Sequence, residues 1–113
     1  MASRFLNTIA IFICFSLITF SQTVTVKIIE TSDVHGAIFP YDLKDNKETS
    51  NSLARVTTYL KEQRADTNQI VFLLDNGDIL QGDPVVYYYN FEKTDTVHLY
   101  ADVMNYMKYD AAT

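Results

Sequence analysis

Leu73-Leu74-Asp75-Asn76-Gly77-Asp78-Ile79-Leu80-Gln81-Gly82-Asp83-Pro84 is the stretch that decides how this chain is read. It closes an apolar run, Ile70 to Leu74, that is short, flanked by polar residues and rich in branched side chains. Those features describe a buried strand. The run ends in a carboxylate, an amide, a glycine and a second carboxylate. Glycine lets the backbone turn sharply, and Asp78 then offers oxygen to a hard or borderline cation. The carboxyl end of a strand in an α/β sheet is also where ligands are usually held. Asp78 therefore matters to the extent that it has partners, and the chain offers two upstream.

Thr23 to Glu30 alternates and then becomes doubly apolar at Ile28-Ile29, as a strand entering a covered sheet does. It runs into the polar loop Thr31-Ser32-Asp33-Val34-His35-Gly36. In extended backbone, residues i and i+2 point the same way, so Asp33 and His35 can reach one ion. If the two strands are near neighbours, Asp78 approaches the same point. Two carboxylates and an imidazole suit zinc, manganese, iron or cobalt better than magnesium alone. A carboxylate can also bridge two ions, which two-metal hydrolases hold about 3.5–4 Å apart around a phosphoryl group. Each motif has a plainer reading. Asp33 can cap a turn with His35 on the surface, and Asn-Gly and Gly-Asp are ordinary turn dipeptides. Both motifs end strands, however, and a helix lies between them.

That helix spans about Ser52 to Arg64, with Leu53, Val56 and Leu60 on one face and Arg55, Lys61 and Glu62 toward water. Residues 37 to 51 form a long connection with Pro40 and a charged, solvated stretch from Lys44 to Glu48. Asp83-Pro84 has the form of a helix start, a capping carboxylate before proline, and Val85 to Phe91 continue that helix. A further amphipathic helix over residues 97 to 108 buries Leu99, Val103 and Tyr106-Met107. Tyr109 to Thr113 enters a third strand that the chain does not complete. Strand, helix, strand, helix and strand entry make an α/β arrangement. Asn76 orients a ligand or shapes the turn, His98 flanks a helix, and Tyr87-Tyr88-Tyr89 point in different directions on a helix and serve packing.

Residues 1-21 read as a secretory signal, a basic start followed by the apolar stretch Phe5 to Phe20 and Thr19-Phe20-Ser21 before a cleavage site ahead of Gln22. The apolar stretch is shorter than the roughly twenty residues of a bilayer span. The only cysteine, Cys14, falls inside it, so residues 22-113 offer neither a disulfide nor a thiolate zinc ligand. The expected protein is exported, either periplasmic or secreted to the cell surface or beyond, with no membrane span left after cleavage. Net charge -5 and a pI near 4.7 argue against a nucleic-acid polymer as partner. They allow a small anionic substrate, because bound cations reverse the local sign.

Lys27 to Gly36 followed by Asp75 to Pro84 resembles the first two blocks of the calcineurin-like metallophosphoesterases. The closer likeness is to their exported branch of 5'-nucleotidases, UDP-sugar hydrolases and 2',3'-cyclic-nucleotide phosphodiesterases. The Gly-Asp-x-x-x-Gly-x-Pro extension is the specific part, and protein serine/threonine phosphatases would show Val-Asp-Arg-Gly instead. The resemblance covers most of residues 26 to 113. It implies the N-terminal portion of a four-layer α/β/β/α fold, incomplete in this chain, with residues 22-113 as part of one metallophosphoesterase domain. It further implies two divalent metal ions, Asp33 and His35 binding the first and Asp78 bridging both. The family's next block, Gly-Asn-His-Glu/Asp, is expected just past Thr113, and no catalytic residue lies in this chain. The expectation is a fragment, inactive alone, of an exported enzyme that hydrolyses nucleotide phosphoesters as a 5'-nucleotidase does. A 2',3'-cyclic-nucleotide 2'-phosphodiesterase/3'-nucleotidase is the alternative, and a non-catalytic exported binding remnant is the rival from another class.

Overall fold

The structure is a computed structural model describing residues 23–113. The expected signal segment, with Cys14, lies outside the described residues. Strand β1 (Thr25–Thr31) leads through a connection to helix α1 (Leu53–Ala65), which returns the chain to strand β4 (Gln69–Asp75). β1 and β4 pair in parallel along their whole length, from Thr25 opposite Gln69 to Thr31 opposite Asp75. A parallel pair needs such a crossover, and α1 supplies it. After β4 come a short helix α2 (Pro84–Tyr87), a wider helical turn over Tyr88–Glu92, helix α3 (Leu99–Met107) and the two-residue strand β5 (Ala111–Ala112). β5 pairs in parallel with β4, placing Ala112 opposite Asp75, so the sheet order is β1-β4-β5.

Local chemistry accounts for the ends of these elements. Ser52 caps α1 by accepting from the Arg55 N–H, and Asp83 caps α2 by accepting from the Val85 N–H at 3.0 Å, ahead of Pro84. α2 then widens, and the Lys93 N–H reaches back five residues to the Tyr88 carbonyl. His98 caps α3 with Nδ1 accepting from the Tyr100 N–H, which leaves Nε2 as the protonated nitrogen donating to Asn90 Oδ1 at 2.9 Å. At the other end of α3, Lys108 adopts a left-handed conformation and the Tyr109 N–H bonds the Met104 carbonyl. Arg64 of α1 donates to the Met107 and Lys108 carbonyls, joining the two longer helices at their C-terminal ends.

Ile38, Leu53, Leu60, Leu73, Ile79, Val86, Tyr100 and Met107 form the core, with Ile29 and Val71 packed against it from the sheet. Three expectations need correction. The Ile28-Ile29 pair does not enter a sheet covered on both sides: Ile29 packs on the core while Ile28 is 65 % exposed. Val26, Ile28, Ile70 and Phe72 share the outer face, because alternate strand residues point to opposite sides. On α3, Tyr106 is 70 % exposed and Tyr100 takes the buried place. Tyr100 and Met107 lie seven residues apart, two turns along one stripe, and Tyr106 is turned away from it. Finally, the connection after β1 carries a ribbon of β2 (Tyr41–Asp42) and β3 (Lys47–Glu48), paired antiparallel. Among the described residues no helix is long and apolar enough to cross a membrane.

Candidate metal centre

Asp33, His35 and Asp78 come together at the carboxyl ends of β1 and β4. Each offers a ligand atom lying within 4.8 Å of the other two, and all three residues are exposed. His35 Nε2 stands 3.6 Å from Asp78 Oδ2. The juxtaposition expected from the sequence is present, but it arises by a different route. Asp33 and His35 are not extended: their φ angles are 54° and 48°, and that of Asp78 is 58°. Among the described residues, three of the five non-glycine residues with positive φ are thus the members of this group. Such conformations are sparsely populated for residues with a Cβ and persist only where the surroundings enforce them.

The enforcement is visible as hydrogen bonds between the two loops. The Asp33 N–H donates to the Gly77 carbonyl (3.1 Å) and the His35 N–H to the Asp78 carbonyl (3.2 Å). In return, the Asn76 N–H donates to the Thr31 carbonyl (2.8 Å) and the Asp83 N–H to the His35 carbonyl (3.0 Å). Gly82, at φ +106°, lets the second loop lie against the first, since a Cβ there would stand 2.8 Å from the His35 carbonyl oxygen. Gly36 does the same from the other side, a Cβ there falling 2.4 Å from Asp83 Cβ. Ser32 Oγ donates to Asp33 Oδ2, and Gln81 Nε2 donates to Asp78 Oδ1. Asp33 and His35 line a cavity of about 620 Å³ under the β2–β3 ribbon, and Asp78 lines a second, of about 590 Å³, beside Tyr100 and Met104.

Sequence reasoning left three participants without a role. Lys44, expected in a solvated loop, reaches the Gly82 carbonyl with its ammonium. Asp75 is 4 % exposed, and its carboxylate accepts from the Thr31 hydroxyl and the Gly77 N–H, both at 2.9 Å. The Tyr109 hydroxyl lies 2.9 Å from the same Thr31 oxygen. The one available signal was the Thr31-Asp75 pair, each residue ending a strand and preceding a ligand-bearing loop. His98 stands outside the cluster.

No family model matches the chain. Its backbone superposes on the crystal structure of the calcineurin-like phosphoesterase YfkN from Bacillus subtilis with a TM-score of 0.65 and 35% identity, over 75% of this chain and 27% of that one. The chain belongs to the calcineurin-like phosphoesterases. The α/β class expected from the sequence is that of this family, and the sheet is parallel. A Staphylococcus aureus protein assigned as a 5'-nucleotidase and solved with alpha-ketoglutarate also scores 0.65, at 31% identity over 77% of this chain and 17% of that one. Among curated sequences, the trifunctional nucleotide phosphoesterase protein YfkN of Bacillus subtilis is 36% identical over 97 residues, 80% of this chain. The 2',3'-cyclic-nucleotide 2'-phosphodiesterase/3'-nucleotidase of Haemophilus influenzae is 28% identical over 102 residues, 88% of this chain. The chain spans 7% and 15% of the length of these two curated relatives. Calcineurin-like phosphoesterases are hydrolases that use divalent metal ions, and the donors gathered here fit that use. An imidazole and two carboxylates are ordinary ligands for a first-row divalent ion, and their separation leaves room for one between them.

Proposed function

We propose that this chain is part of an exported phosphoesterase that hydrolyses nucleotides, with Asp33, His35 and Asp78 holding divalent metal. The observation that carries this reading is the convergence of those three side chains from two loops of left-handed backbone. The naming of the relatives as nucleotide phosphoesterases supports it. Residues 1-21, with a basic start and an apolar run, support export, and residues 22-113 are then part of one catalytic domain.

A divalent cation at this site would supply charge neutralisation to a bound phosphoryl group. The protein's part is to hold three donors in place without their rearranging at the moment of binding. Asp33 and Asp78 add negative charge at an exposed site, so a phosphate approaching without the cation would be repelled. His35 would contribute an imidazole lone pair to such a cation without adding negative charge. By the family resemblance Asp78 would be the residue shared between two ions, a role its two carboxylate oxygens allow.

A 5'-nucleotidase activity is the lead assignment. The 2',3'-cyclic-nucleotide reading has its own support in the Haemophilus influenzae relative, which matches 88% of the chain. The deciding experiment expresses the whole coding region that contains this chain. The product is assayed with manganese on a nucleoside 5'-monophosphate and on a 2',3'-cyclic monophosphate. Turnover that Asp78→Asn abolishes supports the proposal, and the preferred substrate chooses between the assignments. A whole protein that binds manganese but turns over neither substrate would instead be a non-catalytic binder.

A further inference from the structure

We propose that Thr31, Asp75 and Tyr109 form a joint, buried at Thr31 and Asp75, that sets the spacing between the two ligand-bearing loops, with Thr31 and Asp75 acting as positioning residues for the metal site. The inference rests on the metal reading only for its consequence in affinity. Its structural content stands on the hydrogen bonds alone.

Thr31 and Asp75 are the last residues of β1 and β4 and stand opposite each other in the ladder. Neither side chain is needed to pair the strands, because backbone groups make the ladder. Burying a carboxylate is costly unless its oxygens are satisfied. Here Asp75 Oδ1 accepts from the Thr31 hydroxyl and Oδ2 from the Gly77 N–H. The Thr31 hydroxyl has one hydrogen, and it goes to Asp75. The 2.9 Å contact with Tyr109 therefore has the tyrosine as donor, which completes a directed chain from Tyr109 through Thr31 to Asp75. The chain ties together all three strands of the sheet, since Tyr109 leads into β5 and Ala112 of β5 pairs with Asp75.

The joint acts on the site through two short tethers. Thr31 lies two residues before Asp33, and its carbonyl accepts from the Asn76 N–H. Asp75 grips the Gly77 N–H, and the Gly77 carbonyl in turn accepts from the Asp33 N–H. Turning either side chain changes where Asp33 and Asp78 stand relative to each other, although neither Thr31 nor Asp75 is among the ligands. Partners that orient a metal's ligands typically cost 10–100-fold in affinity when removed.

The test compares Thr31→Val, Asp75→Asn and Thr31→Ser in the protein expressed from the whole coding region that contains this chain, with Leu73→Ala as a core substitution outside the joint. Amide hydrogen exchange without metal is read at Gly77, Asp33 and His35, and manganese affinity is read from the spectrum of the free ion. Thr31→Val and Asp75→Asn are expected to speed exchange at those three amides by about tenfold relative to Ile29 within β1. The same variants should weaken manganese binding by about 10–100-fold, and Thr31→Ser should restore both. Should Asp75→Asn fail to fold, Thr31→Val, near-isosteric with the native residue, decides. The proposal is overturned if the loop amides and the affinity are unchanged in folded Thr31→Val, or if Leu73→Ala shifts them equally. If the unsubstituted chain binds no manganese, the metal reading of the preceding section fails, and the exchange data alone decide whether the joint exists.

Discussion

Gly82 lies against the backbone of His35, close enough that its missing Cβ would stand 2.8 Å from the His35 carbonyl oxygen and 2.9 Å from the His35 Cβ. The Asp83 N–H bonds that same carbonyl. Gly82→Ala cannot avoid the clash by a rotamer change, because its nearest obstacle is backbone, and its φ of +106° is itself unfavourable for alanine. We expect a loss of about 1–3 kcal/mol, measured by urea unfolding, together with weaker manganese binding because His35 is displaced.

Metal binding should appear as stability. A ligand that binds only the folded state at about 100 times its dissociation constant adds roughly 2.7 kcal/mol. Manganese or zinc at that level should raise the unfolding midpoint, and a chelator should return it to the metal-free value. His35→Asn or Asp78→Asn should remove the metal-dependent increment. An equal increment in both variants would show that the ion binds elsewhere.

Tyr100 is 2 % exposed, and its hydroxyl is the one buried side-chain polar atom without a partner among the described residues. A buried unsatisfied hydroxyl costs about 1–3 kcal/mol. Tyr100→Phe removes the hydroxyl while keeping the ring, so it should leave stability unchanged or raise it by about 1 kcal/mol. Burial, followed by the nearby Asp83, Tyr109 and Asp75, pushes the Tyr100 phenol well above the usual tyrosine range. Burial also raises Tyr109, with Thr31 opposing the shift. A raised folded pKa means that the unfolded chain loses its phenol protons first. Stability should therefore be whole below pH 10 and fall as pH climbs through the alkaline range. Tyr100→Phe should flatten that fall, as followed by circular dichroism across pH.

Neighbouring strand positions should respond oppositely to substitution. Leu73 is fully buried, and Leu73→Ala should cost about 2–5 kcal/mol. Ile28, on the open face of the sheet, should tolerate Ile28→Thr within about 0.5 kcal/mol. Thermal melts of the two variants check the contrast. A large loss at Ile28 would mean that this face is covered in solution.

Much of the fold could be read from local pattern. The strand ending at Asp75 lies in a short apolar run, α1 in a three-and-four spacing with Ser52 as its cap, and the start of α2 in Asp83-Pro84. These elements depend on nearest-neighbour chemistry, which a sequence displays directly. The ribbon at Tyr41–Asp42 and Lys47–Glu48 is not legible in the sequence because two-residue strands have no periodicity to detect. The outward turn of Tyr106 is not legible either, because adjacent apolar residues on a helix do not reveal which of them faces the core.

By itself the sequence determined the identity of the three candidate ligands and the two loops that carry them, because residue type and strand-end position are local properties. Only the tertiary structure decided how those ligands meet. The β1–β4 register sets Thr31 opposite Asp75, and the loops beyond them exchange backbone hydrogen bonds. Asp33, His35 and Asp78 are thereby held in left-handed backbone rather than the extended form in which residues i and i+2 would align. Register and loop pairing join residues about forty-five positions apart, a range at which no local pattern in the sequence reports on contact.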